Sequence, residues 1–128
     1  KTVHMCCGYP DRLDNPNYTK APKESYFQLA PAIEGSCIQA VSVEDAHRNN
    51  DLSLLEMFKT TTVIFGVVAI AKSEIESVEQ IRSRLSNAVQ HIDPERLIAA
   101  PDCGLGLLGR DLTRAKLGNL CKAAAGVG

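Results

Sequence analysis

An imidazole and a thiol stand two residues apart in Val3-His4-Met5-Cys6-Cys7, a run with the character of a strand that ends at the turn Gly8-Tyr9-Pro10. Side chains at i and i+2 of a strand share a face. His4 and Cys6 can therefore reach one metal ion together, while Met5 points away and Cys7 falls at the strand end. Two donors do not make a site. Further candidates are the carboxylates Glu44 and Asp45, at the end of a second apolar run, and Asp102 with Cys103, at the end of a fourth. One His, two Cys and one carboxylate suit zinc, a borderline ion that takes N, S and O donors in a tetrahedron. Most strand cysteines are instead small buried apolar residues, and Cys7, Cys37 and Cys121 are assigned to core packing on that ground.

Whether the donors meet depends on the elements that carry them. Four strands are predicted, at 2–7, 37–44, 61–70 and 97–101, most of them continuous apolar runs of the kind found in buried parallel strands. Helical patterns lie between them. Glu24 to Ile33 is short and contains Pro31, which should limit or kink it. Asp51 can cap Leu52 to Phe58, with Leu52, Leu55 and Phe58 on one face. Ser77-Val78-Glu79-Gln80 reads as a capping box, followed by Val78, Ile81, Leu85, Val89 and Ile92 at helical spacing until Asp93-Pro94. A last helix is expected from about Arg110 to Ala124, burying Leu112, Leu117, Leu120 and Cys121. The order βαβαβαβα implies an α/β fold with a parallel sheet and right-handed crossovers. Four βα units are half of a TIM (β/α)8 barrel, whose typical length of about 250 residues is close to twice this chain; a small open sheet is the alternative. In a barrel, groups at the C-terminal ends of strands converge on one face. No linker or repeat beyond the βα alternation divides the 128 residues, which are read as one domain.

Composition narrows the class. With 45% apolar and 23% charged residues the chain has the balance of a soluble globular domain. A formal net charge of −1, with basic residues scattered from Lys1 to Lys122, offers no concentrated field for nucleic acid or anionic lipid. No apolar run reaches the roughly 18 to 20 residues of a membrane span, and the N-terminus has no signal-peptide pattern. A cytoplasmic enzyme is expected. Five cysteines, an odd number without framework spacing, point to reduced thiols, some of them metal-bound. The start on a strand without Met is expected of a piece of a longer chain.

The stretches His4-Met5-Cys6, Val41-Ser42-Val43-Glu44, Gly66-Val67-Val68, Asp93-Pro94-Glu95-Arg96-Leu97 and Pro101-Asp102-Cys103-Gly104-Leu105 together resemble the C-terminal barrel of the cobalamin-independent methionine synthase family. The resemblance covers essentially the whole chain, as the second half of that barrel. H-x-C alone is a weak signal; H-x-C followed nearly a hundred residues later by P-D-C-G-L is specific. What the resemblance implies is a zinc site made by His4, Cys6, Glu44 and Cys103, and alkyl transfer to a small-molecule thiol. In the synthases that thiol is homocysteine, and the alkyl donor is a polyglutamylated 5-methyltetrahydrofolate. In the epoxyalkane:coenzyme M transferases of the same superfamily, coenzyme M is alkylated by an epoxide. The synthases carry an Asp and a His after the third strand that help hold and protonate the folate, and the aligned positions here are Ala69 and Ala71.

His47, in the loop Asp45-Ala46-His47-Arg48-Asn49-Asn50, falls on the catalytic face of such a barrel and is the candidate for the acid that Ala71 cannot supply. His91 is read as a surface residue near a helix end, where a cation suits the helix dipole. Gly104-Leu105-Gly106-Leu107-Leu108-Gly109 matches G-x-G-x-x-G formally, but no later strand brings the acidic residue that a dinucleotide site uses. It is read as a glycine-rich loop that lets Cys103 approach the metal. A metal-free α/β enzyme and a zinc-binding half-barrel without catalysis are the competing readings. Half a barrel alone leaves two strand edges and one sheet face uncovered, so the isolated chain is expected to form a homo-oligomer, most simply a dimer.

Overall fold

The sequence folds in the predicted order in the computed structural model, which describes residues 1–127. Strand β1 (Thr2–Met5) is followed by helix α1 (Glu24–Glu34), β2 (Ala40–Glu44), a 3-10 turn (Leu52–Met57), β3 (Thr62–Val68), α2 (Val78–Ala88), β4 (Leu97–Pro101) and α3 (Arg110–Ala124). The four strands form one parallel sheet whose spatial order, β1-β2-β3-β4, is the order of the chain. This is the α/β architecture of a partial (β/α)8 barrel.

The strands alternate in burial more than their continuous apolar runs suggest. Met5, Val41, Val43, Val63 and Phe65 are buried on the helix-covered side with Tyr26, Leu54, Leu55, Phe58, Ile81, Leu85 and Leu120. The intervening residues line the other face. Register places His4, Ser42, Ile64 and Ile98 side by side there, and Ile98 is 50% exposed. Helices cover one face alone, so the apolar content of both faces reflects a sheet built for two covers.

Several boundaries are tighter than the sequence patterns indicate. Strands β1, β2 and β3 lose one to three residues at their ends, whereas β4 has the predicted limits. The capping box of α2 forms in both directions, Gln80 N–H to Ser77 Oγ at 3.1 Å and Ser77 N–H to Gln80 Oε1 at 2.7 Å. Its helix stops at Ala88 instead of Ile92, because Gln90 and His91 donate to the carbonyls three residues back and wind the last turn tighter. Leu52–Met57 is 3-10 and not α, although Asp51 caps it through Ser53 N–H as expected. Pro31 lies inside α1, on its exposed side, and the helix ends three residues later. Replacing Ser77 by Ala should cost about 1 kcal/mol and lower the melting temperature by about 3 to 6 °C, measurable by circular dichroism.

Two of the three packing cysteines are corrected. Cys7 is buried, but Cys37 and Cys121 are exposed. Cys37 lies before β2 begins, and Cys121 falls just off the buried stripe of α3, which runs through Lys116, Leu120 and Ala123. Lys116 is fully buried. Its ammonium donates to Ala69 O at 3.0 Å and to Glu76 Oε2 at 3.0 Å, while Glu76 Oε1 accepts Ala69 N–H at 2.8 Å. A buried charge of this kind is tolerated only when paired and hydrogen-bonded. The pair pins the backbone just beyond β3. Among the described residues no helix is long and apolar enough to cross a membrane.

Candidate metal centre

Four potential donors meet at the C-terminal end of the sheet. One donor atom each from His4, Cys6, Glu44 and Cys103 lies within 4.8 Å of all the others. In a flat sheet the edge strands β1 and β4 would stand about 14 Å apart, three inter-strand spacings. Convergence therefore depends on the curvature of the sheet and on extension of the chain past each strand, Cys6 beyond β1 and Cys103 beyond β4.

Each donor is held by something else. His4 Nδ1 is 2.9 Å from Ser42 Oγ, its register neighbour on β2, which leaves Nε2 facing Glu44 Oε1 at 3.5 Å. Glu44 is buried, and its second oxygen accepts the Cys7 N–H at 2.9 Å. The Cys6 sulfur accepts the Gly8 N–H at 3.4 Å. Gly8 has φ of +94°, and a Cβ there would come within 2.8 Å of Thr19 O, so the turn that aims this N–H requires glycine. Burial pushes the Cys6 thiol pKa up against that hydrogen bond, and the Glu44 carboxylate and the neighbouring Cys103 push the same way. Burial and Glu44 push Cys7 further, to about 12, which keeps it a neutral thiol.

Cys103 is placed by the residue before it. Asp102 is fully buried, its Oδ1 accepting N–H from Asp45 and Ala46 at 3.0 Å each and its Oδ2 accepting the His47 N–H at 2.8 Å. Burial raises the Asp102 carboxyl to about 7, against those three donors, which pull it down. Asp45 is tied in turn to α2 by a two-point pair with Arg84, Nε to Oδ2 at 2.6 Å and Nη2 to Oδ1 at 2.9 Å, and to Asn50 N–H at 2.8 Å. Asp45 and Asp102, carboxylates at the right strand ends, thus clasp the loops together and stand outside the four-donor group. Gly66 lets the clasp close, since a Cβ on it would be 2.7 Å from Asp102 Cα.

The residues that sequence patterns did not single out are supports. Tyr26 is buried on α1, donating its hydroxyl to Met5 O at 2.7 Å and receiving the Glu44 N–H at 3.4 Å. Arg48 lies over the Tyr26 ring at 4.9 Å. Ser42 was detectable, because it sits two residues before Glu44 and so shares its face. Nothing local marks Tyr26 or Arg48, which reach the site only through tertiary packing. His47 is half-buried, and its Nε2 accepts N–H from Ile70 and Ala71 at 3.0 and 3.2 Å. Burial, with Lys20 and Lys72 nearby, lowers its pKa to about 4. The ring is therefore neutral near pH 7, and any proton it offers is an N–H of the neutral form. His91 is at the surface, paired with Glu56 at 2.6 Å. A Cβ on Gly104, Gly106 or Gly109 would meet nothing within 4 Å, so no close approach demands glycine in that loop.

The donor set fits zinc. A tetrahedron with ligand distances of about 2.0 to 2.3 Å needs donors roughly 3.3 to 3.8 Å apart, a modest contraction of the present group. The combination of imidazole, thiol and carboxylate also excludes the all-oxygen preference of calcium and magnesium.

Comparison with known proteins decides the family. Residues 24–126 match the family described as cobalamin-independent synthase, catalytic domain. The chain belongs to this family. Among its relatives, methionine synthase of Thermococcus kodakarensis is 34% identical over 99 residues, 77% of this chain and 30% of that protein. The 5-methyltetrahydropteroyltriglutamate–homocysteine methyltransferase of Citrobacter koseri is 42% identical over 127 residues, 95% of this chain and 14% of that protein. A solved structure of a B12-independent methionine synthase from Shewanella, in complex with selenomethionine, superposes with a TM-score of 0.78 at 26% identity, covering 97% of this chain and 37% of its own. The chain thus spans between 14% and 37% of the length of these relatives. Its family is one of methyltransferases.

Proposed function

We propose that the chain is the zinc-bearing half of a cytoplasmic thiol alkyltransferase of the methionine synthase type, transferring the methyl group of a 5-methyltetrahydrofolate polyglutamate to homocysteine. The observation that carries this reading is the meeting of His4, Cys6, Glu44 and Cys103 within 4.8 Å at the C-terminal end of the sheet, of which β2, β3 and β4 lie within the family match. These four would hold zinc. When bound, zinc supplies a Lewis acid that keeps a substrate thiol deprotonated at neutral pH.

The chain's own residues supply the rest. Ser42 fixes the His4 ring so that Nε2 is the available donor. The Cys7 N–H holds one oxygen of Glu44 and leaves the other for the site. The Asp102 clasp sets the position of Cys103, and Tyr26 anchors the end of β1. At positions 69 and 71, where the resemblance calls for Asp and His, alanines stand and both are buried. This observation favours a second reading, alkylation of a thiol such as coenzyme M by an epoxide, which needs no folate-holding pair.

X-ray absorption at the zinc edge separates these readings from a metal site without catalysis. One additional sulfur in the first shell on adding homocysteine or coenzyme M is expected, and the responding thiol identifies the branch. An unchanged shell with both compounds would reject alkyl transfer by this chain. For the isolated 128 residues, the uncovered face and free β1 and β4 edges should produce self-association, and sedimentation equilibrium should return a dimer at micromolar concentration. A cooperative, well-folded monomer would show that the sheet needs no second cover.

A further inference from the structure

Lys116 and Glu76 form an ion pair that stands outside the four-donor cluster. Lys116 comes from the middle of α3 and Glu76 from the segment between β3 and α2. The ammonium reaches Ala69 O and both carboxylate oxygens, while Glu76 Oε1 accepts the Ala69 N–H. One ion pair thus holds both backbone polar groups of Ala69. Asn119, about one helical turn on from Lys116, donates to Glu76 O at 2.8 Å and secures the backbone that carries the carboxylate. A buried pair often gives little net stability over apolar side chains of the same volume. What this one supplies is position, since it fixes Ala69 against α3.

Ala69 leads directly into two backbone donors. The next two residues, Ile70 and Ala71, present their N–H groups to His47 Nε2 at 3.0 and 3.2 Å. A ring nitrogen that accepts cannot carry the proton, so the proton of the neutral imidazole belongs on Nδ1. Burial, with Lys20 and Lys72 nearby, keeps the ring uncharged near pH 7. Its remaining variable is the tautomer. The backbone of His47 is held separately, its N–H by Asp102 and its carbonyl by Lys20. Those contacts fix the residue and leave the choice of tautomer to Ile70 and Ala71. The segment has one further hold, from Asp14, whose N–H reaches Ala71 O and whose carboxylate accepts from Ser73. Asp14 is exposed, and water competes there for the same groups.

We propose that Lys116 and Glu76 are positioning residues for His47: by fixing Ala69 they aim the Ile70 and Ala71 N–H groups at Nε2 and so set the ring as an Nδ1–H donor. A neutral imidazole offers a donor or an acceptor at a given nitrogen, never both, and the other tautomer would present a lone pair where a proton is wanted. The inference deepens the alkyl-transfer reading, in which His47 is the candidate acid, and rests on it only for the use made of that proton. The choice of tautomer itself needs neither zinc nor substrate.

Imidazole 15N NMR on the whole chain near neutral pH, with chelator present and His47 assigned by its loss in His47→Gln, tests the proposal. The parent should show a protonated Nδ1 and an unprotonated Nε2. The double variant Lys116→Met, Glu76→Gln removes both charges together and keeps an acceptor for the Ala69 N–H. In it the ratio of Nδ1–H to Nε2–H forms should fall about tenfold, the worth of two backbone hydrogen bonds. Amide exchange at Ile70 and Ala71 should quicken, while that of Val63 and Phe65 in β3 stays as in the parent. A merely structural pair would lower the melting temperature and leave the tautomer of the folded protein unchanged. Asn119→Ala, which keeps both charges and frees only the Glu76 carbonyl, should move the ratio the same way by a smaller factor, and it carries the test if the double variant does not fold. Asp14→Asn, which loosens the exposed hold on Ser73, should keep the parent's ratio. A parent ring protonated on Nε2, an unchanged ratio in the folded double variant or, failing that, in Asn119→Ala, or a fall in Asp14→Asn as large as the double variant's would each overturn the proposal. Failure of a thiol to join the zinc shell would remove the alkyl-transfer reading and leave the tautomer result standing.

Discussion

Protein purified without added metal is expected to carry about one zinc per chain, and Cys103→Ser to lose it. A thiolate replaced by a hydroxyl removes a soft donor from a set of four, and even partners behind the ligands are worth about 10- to 100-fold in affinity. The expected loss for Cys103→Ser, and equally for Cys6→Ser, is about 100-fold or more on that scale. Ser42→Ala, which frees the His4 ring but keeps all four donors, should cost about tenfold. Cys37→Ser and Cys121→Ser should leave metal content unchanged, since both thiols are exposed and outside the cluster. Elemental analysis under reducing conditions, followed by competition with a chelator, measures all of these. A metal-free parent protein, or Cys103→Ser with full occupancy, would remove the basis of the zinc assignment.

The largest stability effect is expected at Gly66. A methyl group there would stand 2.7 Å from Asp102 Cα, a contact with backbone that no side-chain rotation relieves. Overpacking alone costs about 1 to 3 kcal/mol. Displacing Asp102 also strips the acceptor from the N–H groups of Asp45, Ala46 and His47, at about 1 to 3 kcal/mol for each one left buried and unsatisfied. Asp45 and Ala46 retain a bond to Gly66 O, so the sum is smaller than three full penalties. Gly66→Ala should therefore lose about 4 kcal/mol, enough to unfold a marginal domain. Urea denaturation gives the number. A loss under about 1 kcal/mol would mean that β3 and β4 can separate at this point without cost.

Much of this arrangement was legible in the residues because local rules and the fold agree. His4 and Cys6 come to one cluster as read, although Cys6 lies just past the end of β1, and the Ser77 and Gln80 capping box forms as read. The four-strand parallel order follows from alternation of strand and helix patterns. What the residues concealed is the choice among carboxylates. Glu44, Asp45 and Asp102 all stand at strand ends, and only tertiary contacts with Arg84, Asn50 and three backbone N–H groups turn the two aspartates into clasps. The exposure of Cys37 and Cys121 was hidden for a similar reason. Each belongs to an apolar pattern, but strand β2 starts after the first, and the face of α3 that packs is set by Lys116 and Leu120. A buried lysine is not something an apolar stripe announces. His47 carries no periodic signal, and its two backbone donors come from residues more than twenty positions away.

A sheet whose spatial order repeats the order of the chain can be extended one unit at a time during synthesis, since no strand waits for a distant partner. The four-donor cluster is the exception. It joins β1, through His4 and Cys6, to the loop after β4, through Cys103, across all four strands of the sheet. Its assembly therefore waits until β4 has docked on β3. An ion held there would act as a brace across the sheet, adding to the hold that β2, the Tyr26 hydroxyl and the packing of Met5 have on β1. Loss of metal would then be felt first as fraying of β1, while the middle of the sheet stays intact.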